Sequence, residues 1–195
     1  MREAAPGRGP RGASREAFIR ATGRLLRTQG YSATGVNAIV AASGAPKGSL
    51  YFHFPGGKQE LAVAAMVTEG EKLRRAIAAI VASSGDLGEA LGRLVDALAA
   101  GLESSGYRDG CPIATVTLEA ASASEAVRTT ATAVFESWLE VLEARLRSAG
   151  LDAEAARRRG LLVLSAIEGG LLLSRARGDL RALAAVREEL VALVG

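Results

Sequence analysis

The chain has 195 residues, 49% hydrophobic but only 4% aromatic, a length that gives one or two domains with a real core. Abundant Ala and Leu with only short β-branched runs favour an all-α fold, while one cysteine excludes an internal disulfide framework and one histidine excludes His-based metal clusters. The formal charge of +3 is unevenly spread: residues 1–60 hold nine Lys/Arg and three Glu (+6), and residues 61–195 hold fifteen Lys/Arg and eighteen Asp/Glu (−3), the footprint of a nucleic-acid-binding end on a mildly acidic body.

Residues 1–13 are Gly, Pro, Ala and Arg without periodicity and read as a disordered arm, whose Arg2, Arg8 and Arg11 either follow DNA or are simply solvated. The arm has no apolar h-region, so a cytoplasmic protein is expected. A first helix is predicted from about Ser14 to Gly30, with Phe18, Ala21, Leu25 and Leu26 on one stripe. Thr34 is a suitable N-cap for a second helix over about Gly35–Ser43, whose apolar face carries Val36, Ile39 and Val40. Gly44 suits the left-handed conformation that ends it. Pro46 fits the first turn of a third helix, to about Phe52, where its missing N–H costs nothing. Leu50 then points to the core, and Lys47, Gly48, Ser49 and Tyr51 fall on the other side. Two helices joined by a tight turn, the second polar and basic, form a helix-turn-helix arrangement. Lys47 can bond guanine O6/N7, Ser49 a base or a phosphate, and Gly48 lets the backbone approach a groove at about 1 kcal/mol of helix propensity. Otherwise these residues are a plain solvated face. Neither GAPKGS nor PGGKQE has the spacing of a P-loop.

A long fourth helix, about Lys58 to Ser83, is expected to join the N-terminal unit rigidly to the rest. A fifth, about Leu87–Ser104, carries Leu91, Leu94, Val95, Leu98 and Leu102 on one face. After a loop at 105–112 come a short sixth helix, about Ile113–Ala121, and a seventh, about Glu125–Ala149, with Val127, Val134, Phe135, Trp138, Leu142 and Leu146 at helical spacing. Cys111 reads as a small apolar filler or a sensor thiol; Phe135 and Trp138 are core or pocket wall. The eighth helix, about Ala153–Ala176, is apolar almost all round from Leu161 to Leu173. It is too short to span a bilayer, so no membrane partner is expected. A helix without a polar face must be buried on every side, which in a chain of this size asks for a second subunit. Glu168 within it needs a partner, an Arg of its own or a neighbouring chain, or a ligand. Gly169-Gly170 costs about 2 kcal/mol against two alanines, and close approach of another helix across a dimer interface is the expected compensation. A ninth helix, about 180–194, is amphipathic.

The run GSLYFHF, preceded by Ala45-Pro46-Lys47 and followed by a Lys and an apolar helix, resembles the N-terminal domain of TetR-family transcriptional repressors; Gly30-Tyr31 matches the closure of its first helix. One departure is that Pro55-Gly56-Gly57 place three residues, not the usual two, between the aromatic and Lys58. That PGGK form and the later GCPIATVTLEAAS are similar to the LmrA/YxaF-like branch, and the resemblance covers the chain after residue 14. It implies phosphate contacts from Thr34, Tyr51, His53 and Lys58 and a recognition surface of Pro46, Lys47, Gly48 and Ser49. It divides the chain into the arm, a DNA-binding domain at 14–60 and an effector-binding and dimerisation domain at 61–195. Dimerisation falls to the helices near 153–176 and 180–194. Leu98, Leu102, Thr115, Leu118, Phe135, Trp138, Leu142 and Glu168 are the candidate effector contacts. The implied function is a ligand-responsive repressor, a dimer on an inverted-repeat double-stranded DNA operator, released by a small, mostly apolar effector. No catalytic group, metal or cofactor is implied. The alternative is a helical small-molecule carrier without sequence-specific DNA binding.

Overall fold

A computed structural model of the protein describes residues 11–193. Among them the chain forms nine α-helices: α1 (Arg11–Gln29), α2 (Val36–Ser43), α3 (Lys47–His53), α4 (Gly57–Ala82), α5 (Leu87–Ser104), α6 (Pro112–Ala120), α7 (Glu125–Ser148), α8 (Ala153–Arg177) and α9 (Arg181–Ala192). The disordered-arm reading of residues 1–10 lies outside the described residues, as do Val194 and Gly195. Arg11, Gly12 and Ala13, assigned to that arm, are instead the first turn of α1.

Local chemistry sets most of the helix ends. Asp86, Ser124 and Asp152 accept the backbone N–H of Glu89, Val127 and Ala155 with their side chains, each satisfying a donor that the first turn leaves free. Gly44 and Gly178 close α2 and α8 in the left-handed conformation. The apolar stripes then fix the packing. Phe18 and Leu26 of α1, Ile39 of α2 and Leu50 of α3 are buried, and they join a core that continues into α4 and the body. Helix α4 packs along α7, α8 packs on α7 and α9, and α5 on α9. Where α4 crosses α7 the backbones approach closely: a Cβ on Gly70 would lie 2.5 Å from Val134 Cγ1, and the Trp138 indole N–H donates to the Gly70 carbonyl at 2.9 Å.

One expectation for α8 is corrected. Gly170 does lie under another helix, but it is α9 of the same chain: a Cβ there would sit 3.1 Å from both Leu183 and Val186, while Gly169 faces open space. Within one chain α8 is not buried on every side. Val163, Ile167 and Gly170 face inward, whereas Leu161, Leu162, Leu172 and Leu173 are 42–60% exposed.

Candidate nucleic-acid interface and ligand cavity

Pro46 is the N-cap of α3, in extended conformation, one position outside the helix it was expected to open. From there Lys47 and Gly48 are exposed and Ser49 half-exposed, while Leu50 anchors the helix from below at full burial. The Lys47 ammonium donates to Asn37 Oδ1 of α2 at 3.2 Å, and the Ser49 hydroxyl donates to the Pro46 carbonyl at 2.7 Å. A Cβ on Gly48 would meet nothing within 4 Å, so its backbone is open to an approaching surface. Tyr51 is 52% exposed and Phe52 71%. Phe52 was not among the sequence candidates; its signal was available, because Leu50 as the inward residue turns Phe52 outward. The half-buried His53 ring packs edge-on against Phe52 and Phe54, at centroid separations of 5.1 and 6.4 Å.

The extra residue in the turn after α3 is absorbed at Gly57. The chain reverses with a Gly57 N–H to Phe54 carbonyl bond of 2.9 Å, and Gly57 enters α4 at φ +64, a region L side chains rarely adopt. Glu60 reaches back to accept the Gly56 N–H at 2.8 Å. Lys58 is thereby set over the Tyr31 ring, its ammonium 4.1 Å from the centroid.

Thr34 is where the sequence reading fails. Gly35, not Thr34, caps α2, and Thr34 is fully buried. Its hydroxyl donates to the Gly30 carbonyl at 2.6 Å and accepts from the Gln29 amide at 3.4 Å. A Thr so placed ties the end of α1 to the start of α2. The same turn is held from the body. The Glu119 carboxylate of α6 accepts the Ser32 backbone N–H at 2.6 Å. Burial alone would raise the Glu119 carboxyl; the bonds from Ser32 and Tyr31, with Lys58 nearby, outweigh it and lower its pKa below the ordinary value.

A cavity of about 480 Å³ lies between α4, α5, α7 and α8 and is closed at one end by the start of α6. Leu98, Leu102, Trp138, Leu142 and Glu168 line it, as do Leu73, Ile77, Ile113, Leu164 and Ile167, which were not among the candidate effector contacts. Thr115, Leu118 and Phe135 are not in this chamber. They line a neighbouring one of about 330 Å³, with Leu118 itself 79% exposed, and Cys111 and Glu168 border both chambers. Glu168 takes no part in the ion pairs among the described residues, so none of them supplies the own-chain Arg considered for it. Burial pushes its carboxyl up, partly offset by the Cys111 thiol beside it. Burial likewise drives the Cys111 thiol well above its ordinary value, with the Glu168 charge adding, which is opposite to what a sensor thiolate needs. Cys111 serves as the N-cap of α6, its sulfur 3.4 Å from the Ala114 N–H. Among the described residues no group of His, Cys, Asp and Glu could hold a metal ion, and no helix is long and apolar enough to cross a membrane.

Residues 18–65 match the family described as bacterial regulatory proteins of the tetR family, and residues 88–189 match the C-terminal domain of LmrA/YxaF-like transcriptional regulators. The chain is 39% identical over 184 residues to the HTH-type transcriptional regulator YxaF of Bacillus subtilis, covering 94% of this chain and 96% of that one. It is 37% identical over 163 residues to the HTH-type transcriptional regulator LmrA of the same organism, covering 84% and 87%. In fold it is similar to a TetR transcriptional regulator from Legionella pneumophila, with a TM-score of 0.82 at 24% identity over 92% of this chain and 96% of that one. A regulatory protein TetR from Rhodobacter sphaeroides gives 0.83 at 21%, over 92% and 97%.

Proposed function

Because the chain belongs to the TetR family of bacterial transcriptional regulators, with a C-terminal domain of the LmrA/YxaF-like type, we propose that it is a cytoplasmic, effector-released repressor acting as a homodimer on an inverted-repeat operator. The family is one of DNA-binding regulators and not of enzymes. The observation that carries the reading is α3: a helix held from beneath by Leu50 that offers Lys47, Gly48 and Ser49 outward, with Tyr51 and Phe52 beside them. In this reading residues 14–60 engage DNA and residues 61–195 hold the effector and the dimer contacts. Lys47 and Ser49 read base edges in the major groove, while Tyr51, His53 and Lys58 hold phosphates and fix register. The four exposed leucines of α8, continued by Ala184 and Ala185 of α9, form the face against which a second copy packs as a four-helix interface.

Release follows from linkage. An effector in the cavity lowers DNA affinity only by binding more tightly to a conformation whose recognition helices are wrongly spaced. Two elements run from the cavity to the DNA-binding end. Helix α4 carries Lys58 in its first turn and passes the cavity at Lys72, Leu73 and Ile77; α6 starts at the cavity beside Cys111 and Ile113 and ends on Ser32 through Glu119. Displacement of either moves α1 and, with it, α2 and α3. The test is selection of bound fragments from sheared genomic DNA in competition with random duplex. Enrichment of fragments sharing an inverted repeat supports the repressor reading. Binding of small apolar molecules without any enrichment would leave the carrier alternative.

A further inference from the structure

The charges around the larger cavity do not cancel. Five charged side chains line it, and four of them satisfy one another at its rim: Arg27 lies 3.4 Å from Glu69 and 3.6 Å from Asp109, and Lys72 lies 2.6 Å from Glu69. The fifth, Glu168, is left over. It sits on α8 between two chambers whose other walls are chiefly aliphatic and aromatic, with the Cys111 thiol against it. Arg175, two turns further along α8, borders the second chamber and donates to the Thr28 carbonyl at 3.4 Å, without an ion pair to Glu168. A largely buried carboxylate with no cation is costly, and none of the described residues pairs with it. Burial has raised its pKa, and a positive charge arriving beside it would reverse that shift.

We propose that the effector of this protein is an amphipathic organic cation: an apolar body filling the chamber lined by Leu98, Trp138, Leu142 and Ile167, and one ammonium or amidinium group donating hydrogen bonds to Glu168. The inference rests on the cavity being the effector site. It adds the sign of the ligand's charge and the residue that selects it. A neutral ligand of the same shape gains the apolar contacts but leaves Glu168 unpaired. An anion meets a carboxylate at close range in a mostly apolar chamber.

The test uses three molecules that share one apolar skeleton: 4-phenylbutylamine, 4-phenylbutanol and 4-phenylbutyrate. Each is titrated into the intact chain, with binding followed by calorimetry and by the fluorescence of Trp138, the only tryptophan and a cavity residue. The amine should bind about tenfold or more tighter than the alcohol, as hydrogen bonds to a charged group outweigh those to a neutral one. The butyrate should be the weakest of the three. In Glu168→Gln the amine should fall to the level of the alcohol, while alcohol binding, which uses only the apolar walls, reports that the cavity is intact. Equal binding of amine and alcohol to the unaltered chain overturns the cationic assignment and leaves the cavity standing as an effector site. Preference for the butyrate overturns it with the opposite sign. Binding of none of the three overturns the cavity as a ligand site, and the inference with it.

Discussion

Thr34 illustrates how burial decides between two roles for one side chain. A threonine before a helix commonly caps it, and from a sequence the cap and the phosphate contact both follow. Here the hydroxyl is turned inward to the Gly30 carbonyl, so its contribution is to the corner between α1 and α2. Thr34→Val removes that bond while keeping the shape, and should cost about 1 kcal/mol of stability in thermal unfolding. The salt dependence of DNA binding should be unchanged; a flatter slope would return Thr34 to the phosphates. Glu71 supplies a second check at this scale. Hydrogen bonds from Arg74 and then Arg75 hold its carboxyl down from 4.5 to about 2. A carboxyl lowered in the folded state contributes stability above its unfolded pKa and loses it as pH falls through the folded one. Unfolding midpoints followed from pH 5 to pH 2 should therefore decline less steeply in Glu71→Gln than in the unaltered chain, and parallel declines would contradict the assignment.

At the scale of elements, α3 and the start of α4 are expected to separate base reading from phosphate binding. Lys58→Ala should weaken binding to specific and random duplex alike and reduce the slope of log K against log salt by roughly one. Lys47→Ala should narrow the gap between the preferred site and a site altered at one base pair, by about 1–3 kcal/mol. Competition binding at two salt concentrations separates the two outcomes, and exchanged behaviours would mean that the roles are reversed. The outward placement of Lys47 and Ser49 was legible in the sequence because it depends on short-range features: the apolar spacing of Leu50, the tight turn at Gly44 and the break at Pro46 set it whatever surrounds them. Capping residues such as Asp86, Ser124 and Asp152 likewise announce helix starts locally. The cavity was legible only in part. Leu98, Trp138 and Leu142 look the same in a sequence whether they close a core or border an empty space. Assigning Thr115, Leu118 and Phe135 to a second chamber requires knowing how α6 sits between α7 and α8. The compensation for Gly170 was sought in a second subunit because periodicity does not say which helix comes near; α9 folding back does.

At the scale of the whole molecule, the charge asymmetry and the exposed α8 face belong to one design. In the proposed dimer a basic end faces DNA, and a mildly acidic body carries the exposed leucines of α8. Leu162 and Leu172, each more than half exposed, should tolerate substitution in an isolated chain but not in a dimer. Leu172→Asp should shift sedimentation from dimer to monomer while helix content is retained, and should weaken operator binding by far more than it weakens binding to a single half-site. A variant that remains a dimer would place the interface elsewhere. The proposed function rests on two chains, each carrying one α3, spanning one dyad. The most direct measurement is the stoichiometry and salt dependence of binding to a selected fragment, set against the same duplex with one half-site scrambled. Expected are two chains per intact fragment, affinity falling steeply with salt, and loss of most of the specific affinity when one half-site is scrambled. One chain per duplex, or equal affinity for intact and scrambled fragments, would contradict it.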